Sequence, residues 1–149
     1  MNSVQRATFG AGCFWGAEQY LRTIDGVIDS RVGFARPVDD DQLLIEVVQI
    51  DFEPTHVSFT ELLEHFWQIH DPTSIDRQGA DVGVKYRSAV FFHNEEQQHQ
   101  ANASHQLLDL SGTLKAPVVT AILEFGEFYL ASEDQQRYLE KNGGTCSIK

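Results

Sequence analysis

The sequence predicts an α+β fold, a two-layer sandwich in which helices pack on a mostly antiparallel mixed sheet. Strand-like and helix-like segments follow one another as βαββαβ and then α, β, α, the order of a split βαβ sheet carrying extra C-terminal helices. The stretch 58–69 repeats apolar side chains at i, i+3, i+4, i+7 and i+8, and the stretch 43–52 alternates with period two. At 149 residues, 42% of them hydrophobic and 22% charged, the chain has the size and composition of one soluble domain spanning residues 1–149.

Residues 5–11, "QRATFGA", read as a short strand with Ala7, Phe9 and Ala11 on one side. A helix follows from Cys13 to about Thr23, with Phe14, Ala17, Leu21 and Ile24 on its inner face. Residues 27–34 and 43–52 are two further strands, joined by the acidic, proline-containing turn "ARPVDDDQ". In the second, Leu44, Glu46, Val48, Ile50 and Phe52 share a face, and Glu46 is the one polar member. The helix at 58–69 opens with a capping box, Ser58 and Glu61, and presents Phe59, Leu62, Leu63, Phe66 and Trp67 to the core. Residues 70–86 have no hydrophobic period and contain Pro72, Gly79 and Gly83, so a long functional or disordered loop is expected. Residues 88–92 form a strand, Asn94 caps a helix to about Leu110, and residues 117–125 form the last strand. Ser132 and Gln135 make a second box, opening a final helix to about Lys141, and the glycine-rich tail "NGGTCSIK" is expected to be mobile.

Charge narrows the partners. With 11 basic against 22 acidic residues the net charge is −11, a field that repels nucleic-acid phosphates and anionic lipid surfaces. No apolar run approaches the roughly 18 residues of a membrane span. "MNSVQRA" shows no basic-then-apolar leader, so a cytoplasmic, monomeric protein is expected.

The two cysteines are Cys13 and Cys146, with no CxxC pair to suggest zinc or thioredoxin-like chemistry. A disulfide between the ends is one reading; a reducing compartment favours catalytic or redox thiols. Cys13 stands at a strand-to-helix junction with Gly10, Gly12 and Gly16 around it and Phe14 and Trp15 beside it. A helix N-terminus favours the thiolate, which is the nucleophile, and the glycines let a substrate approach. Successive helix residues point about 100° apart, so Phe14 and Trp15 cannot both face one core and one of them lines a pocket. A carboxylate among the apolar side chains of a sheet must be paired, solvated at a pocket, or kept protonated by a raised pKa, and Glu46 has those three options. Asp81 and Tyr86 sit in the glycine-containing loop, where a phenol can meet a ligand. The six histidines lack the i, i+4 pairing of a helical metal site, so no metal is expected. "NAS" at Asn102 is a chance glycosylation match on a helix, and "DDD" at 39–41 is a solvated turn.

With these residues in hand, the chain resembles the A-type peptide methionine sulfoxide reductases, which act on the S epimer. The resemblance runs over nearly the whole length: "GCFWG" at 12–16, "GV...RVGFA" at 26–35, "EVVQIDFEP" at 46–54 and "FWQIHDPTSIDRQGADVGVKYRSAVFFH" at 66–93. It implies a ferredoxin-like split βαβ core and reduction of methionine sulfoxide, free or in peptides. Cys13 takes the attacking position, Phe14 and Trp15 the pocket for the substrate methyl group, and Glu46 the proton donor. Asp81 and Tyr86 fall where the family assists the sulfoxide oxygen, and Cys146 resembles the C-terminal recycling cysteine. No metal or bound organic cofactor is implied; thioredoxin or another dithiol supplies the electrons.

Two departures stand out. The loop between Gly33 and Glu46 is short and lacks the family's "NPTY"-like segment, with Leu43 and Leu44 where glycine and histidine usually stand, so one of two tyrosine hydroxyls is missing. The usual proline and tyrosine before the recycling cysteine are absent as well. Two other roles therefore stand beside the enzyme: a module that binds oxidised methionine through Phe14 and Trp15 with weakened catalysis, and a thiol redox sensor built on Cys13 and Cys146.

Overall fold

The computed structural model describes residues 4–142. The strands are β1 (Gln5–Gly10), β2 (Val27–Pro37), β3 (Ile45–Phe52), β4 (Arg77–Gln78), β5 (Asp81–Val82), β6 (Ala89–Phe92) and β7 (Ala121–Leu130). The α-helices are α1 (Phe14–Leu21), α2 (Phe59–Gln68), α3 (Glu95–Leu110) and α4 (Tyr138–Asn142), with 3₁₀ turns at Val84–Tyr86 and Glu133–Gln135. Cys146 and the glycine-rich tail lie outside the described residues.

β3 pairs antiparallel with β1 and β2, and β1 pairs antiparallel with β6, giving the order β6-β1-β3-β2. β7 is antiparallel to β2 and parallel to β6, and closes the sheet into a five-stranded barrel. The expected open two-layer sandwich is therefore corrected to a closed one. The reason lies in β7: Ala121 to Glu124 run beside β6, and Phe125 to Leu130 run beside β2. Gly126 stands at the crossing, where an added Cβ would lie 2.8 Å from the Arg36 carbonyl oxygen. The strand is also displaced from the expected 117–125. Residues 117–120 are held by other partners, the Val119 amide donating to the Pro72 carbonyl at 2.8 Å.

Closure produces two cores. Ala7 and Phe9 of β1 and Val48, Ile50 and Phe52 of β3 meet α2, where the Phe9 ring lies 5.0 Å from Phe66 and 5.9 Å from Phe59. The opposite side of the same strands, Ala35, Ile45, Val47, Ala89 and Phe91, fills the barrel. β3 is thus buried on both faces, which explains its nearly continuous apolar run. Its face carries Glu46, Val48, Ile50 and Phe52 as expected, but Leu44 precedes the strand and is exposed, while Leu43 packs on the barrel core. β2 runs three residues beyond the expected 34, because Ala35 to Pro37 pair with β7.

α2 forms with both capping-box hydrogen bonds at 3.0 Å. The second box does not form: Ser132 makes no side-chain cap, and residues 132–141 break into a 3₁₀ turn and the short α4. Docking outcompetes helix propensity here. The buried Gln136 amide acts as a strand neighbour to Val32, accepting its N–H at 2.7 Å and donating to its carbonyl at 2.9 Å. Arg137, at φ +50°, gives its N–H to Glu18 Oε1 at 2.6 Å. Glu18, buried on α1, also accepts the Ser30 hydroxyl at 2.6 Å. Glu18→Ala leaves two donors without acceptors and a void, and should lower unfolding stability by about 2–4 kcal/mol in urea titration, with Ser30→Ala costing less.

Candidate active site

The site grows from the turn between β1 and α1. Cys13 is the N-cap of α1, with no side-chain cap hydrogen bond, so its thiol stands where the first-turn N–H groups favour a negative charge. Gly12 has φ +85°, and an added Cβ would lie 2.6 Å from Cβ of Gln78. Only glycine fits that close approach. Gln78 is buried and spans the backbone of Asp71, accepting its N–H at 2.9 Å and donating to its carbonyl at 2.8 Å.

The 70–86 segment is consequently an ordered structure rather than a slack loop. Arg87 forms a two-point pair with Asp76 at 2.7 and 3.3 Å. His70 donates from Nδ1 to the Phe66 carbonyl at 2.7 Å, and its Nε2 meets the Ser88 hydroxyl at 2.6 Å, which in turn meets Thr120 at 2.6 Å. The β4–β5 hairpin seated this way carries Asp81, and the 3₁₀ turn after it carries Tyr86, to the thiol.

Cys13, Glu46, Asp81 and Tyr86 line one cavity of about 430 Å³ together with Phe14 and Trp15. Both aromatics line it, and they are supported differently. Phe14 belongs to the core and meets Phe34 edge-on at 6.0 Å, whereas Trp15 stacks on Tyr138 at 3.9 Å and donates from Nε1 to Gln135 at 2.9 Å. Phe34, Ala131, Ser132 and Gln135 complete the wall, and the sequence alone assigns none of them to the site. Phe34 carried a signal, since it pairs directly with Glu46 across β2 and β3. Ser132 and Gln135 carried a misleading one, the capping box that does not form. No residue of the short turn 38–44 reaches the cavity.

Glu46 is 7% exposed. Its Oε1 accepts the Phe14 N–H at 3.4 Å, and its Oε2 lies 3.7 Å from Lys85 Nζ, so the carboxyl is both paired and buried. Burial raises its pKa above the ordinary carboxylate value, with the nearby Asp81 charge adding to the rise. The Phe14 N–H, Lys85 and the Tyr86 hydroxyl oppose it. The Tyr86 phenol is held protonated more firmly than usual, by burial first and by the Glu46 charge next. A thiol at a helix N-terminus, a carboxyl inclined to keep its proton and a phenol in one cleft can combine nucleophilic attack with proton delivery. Among the described residues no group of three His, Cys, Asp or Glu side chains is placed to hold a metal.

The meeting of thiol, acid and phenol in one cleft makes it the candidate active site of an enzyme. The model of the peptide methionine sulfoxide reductase family matches residues 5–149, and the chain belongs to that family. A peptide methionine sulfoxide reductase MsrA of Methanothermobacter thermautotrophicus is 45% identical, the match covering 95% of this chain and 90% of that protein. Reduced Mxr1 from Saccharomyces cerevisiae superposes with a TM-score of 0.87 at 28% identity, over 97% of this chain and 89% of that one. Mxr1 in complex with Trx2 superposes at 0.70 with 26% identity, over 97% of this chain and 87% of that one.

Because the fold raises the Glu46 pKa, the native state holds this proton more tightly than the unfolded chain does. Stability from this group is therefore full below the unfolded carboxylate value and is lost as pH rises through the folded value. Glu46→Gln has no such dependence. Its melting temperature relative to the unsubstituted protein should rise with pH across this window, as measured by circular dichroism from pH 4 to 8.

Proposed function

We propose that this protein reduces methionine S-sulfoxide, free or within peptides, to methionine, with Cys13 as nucleophile and Glu46 as proton donor. The carrying observation is that Cys13, Glu46 and Tyr86, separated by as many as 73 positions, line a single cleft with Phe14 and Trp15. The aromatics hold the S-methyl group against the thiol. The sulfoxide sulfur is electrophilic because its oxygen withdraws electrons. The Cys13 thiolate gives an electron pair to that sulfur, and Glu46 passes its proton to the oxygen, with Tyr86 hydrogen-bonding it and Asp81 helping to keep Glu46 protonated. The S–O bond and the new bond between Cys13 and the substrate sulfur both break, the protonated oxygen ends on the Cys13 sulfur, the substrate sulfur gains two electrons as methionine, and Cys13 is left oxidised by two electrons as a sulfenic acid.

Cys146 then condenses with the sulfenic acid, releasing water and forming a disulfide, and a dithiol reduces it. Thioredoxin is the reductant in this reading, supported by the Mxr1 complex with Trx2, and no bound cofactor is required. The protein works as a cytoplasmic monomer, and the antiparallel order β6-β1-β3-β2 supports a ferredoxin-like split βαβ core closed by β7.

The test is a thioredoxin-coupled NADPH assay with separated epimers. The S epimer should turn over and the R epimer should not, and Cys13→Ser should be inactive; retained activity in that variant would remove the assignment. Glu46→Gln should lose about tenfold or less, since the amide still donates a hydrogen bond, while Glu46→Ala should lose about a hundredfold or more. Binding of the S epimer without product would point instead to a module for oxidised methionine.

A further inference from the structure

We infer that Lys85 is a positioning residue of this site: it holds the Glu46 carboxyl and the Tyr86 phenol in place for the substrate oxygen and sets the alkaline edge of turnover. The inference rests on the reading of Glu46 as proton donor.

Lys85 lies in the 3₁₀ turn directly before Tyr86. Its side chain is 52% exposed and leans over the site, with Nζ 3.7 Å from Glu46 Oε2 and 5.1 Å above the Tyr86 ring centroid. Ordering a long, rotamer-rich side chain in this way has an entropic cost, and attraction to a buried carboxyl offsets it. The two oxygens of Glu46 are thereby held from opposite walls, Oε1 by the Phe14 N–H of α1 and Oε2 by the ammonium. A hydrogen bond on one oxygen and an ion pair at 3.7 Å on the other orient the carboxyl group toward the cleft.

The charges facing Glu46 make a cation useful there. β5 contributes Asp81, the turn contributes Tyr86 and Lys85, and the start of α1 contributes Cys13. Phe34 of β2, together with Ser132 and Gln135, brings no charge. When Cys13 ionises to attack, thiolate, Asp81 and the carboxylate left behind by proton transfer all share one small cleft in a chain of net charge −11. Lys85 balances the charge that appears on Glu46 as its proton passes to the oxygen. It opposes the effect of burial, since the ammonium favours the ionised carboxylate. The interaction is mutual: Lys85 holds its own proton more firmly, through Tyr86 first and then Glu46.

The experiment is single-turnover reduction of a methionine S-sulfoxide peptide against pH, before recycling enters, for the unsubstituted protein, Lys85→Met and Lys85→Arg. With the cation gone, Glu46 keeps its proton to higher pH. The alkaline edge in Lys85→Met should move up by about half a pH unit, the plateau rate should fall by about three- to tenfold, and Lys85→Arg should restore both. Raising NaCl should move the edge of the unsubstituted protein in the same direction by screening the half-exposed pair, and leave that of Lys85→Met in place. Loss of rate in Lys85→Met with no displacement of the edge would mean a merely structural lysine and would overturn the inference, as would unchanged rate and edge. Failure of the underlying reading looks different: no S-epimer reduction by the unsubstituted protein, or reduction by Cys13→Ser.

Discussion

A glutamine side chain lying across a peptide is the contact on which the site depends. Gln78 takes both the N–H and the carbonyl of Asp71, and its aliphatic part occupies the space that a side chain at residue 12 would need. One residue thus joins the start of the 70–86 segment to the cysteine turn. Without that seat, Asp81 and Tyr86 would belong to a hairpin with no fixed relation to Cys13, and Glu46 would have neither Lys85 nor the phenol against it. The close approach requires glycine at 12, and a positive φ at the same position turns the chain so that Cys13 becomes the N-cap of α1. Substrate access and nucleophile placement therefore share one steric cause.

The opposite wall is built on the same physical device. Gln136 reads the backbone of Val32, Glu18 receives the Arg137 amide, and Gln135 receives the Trp15 indole. Side-chain amides and carboxyls stand in for the strand partners that an irregular segment lacks, so its buried backbone groups are satisfied. These directed hydrogen bonds act together with the Trp15–Tyr138 stack and the buried Leu139 to offset the cost of ordering the segment. That suits a cleft whose walls must present polar groups on one side and aromatic faces on the other.

The same device explains what was legible in the sequence. α2 could be read because its five buried side chains follow the helical period and Ser58 and Glu61 close its start, both local patterns. β3 and the β1–α1 turn could be read for similar reasons, and Glu46 stood out as the one polar residue of an apolar face. Family resemblance added Asp81 and Tyr86, whose local surroundings say little. What could not be read depends on long-range partners. Ser132 and Gln135 have the spacing of a capping box, but the side chains around them are committed to Val32, Glu18 and Trp15, residues 100 or more positions away. Barrel closure was equally hidden, since β7 changes partner at Gly126 and a single strand pattern cannot show that it serves two neighbours.

Closure also bears on the short turn that separates this chain from its family's usual pattern. Ala35 to Pro37 are committed to pairing with β7, and Leu43 and Ile45 to the barrel interior. The turn is therefore anchored at both ends to the barrel, and none of its residues lines the cleft. In the proposed reaction the oxygen end of the substrate meets Glu46 and the turn that carries Tyr86 and Lys85. Among the described residues Tyr86 is the one phenol lining the cleft, so in that reaction the orientation of the Glu46 carboxyl counts for more. The hydrogen bond from the helix start and the ion pair with Lys85 are the geometric answer this fold provides.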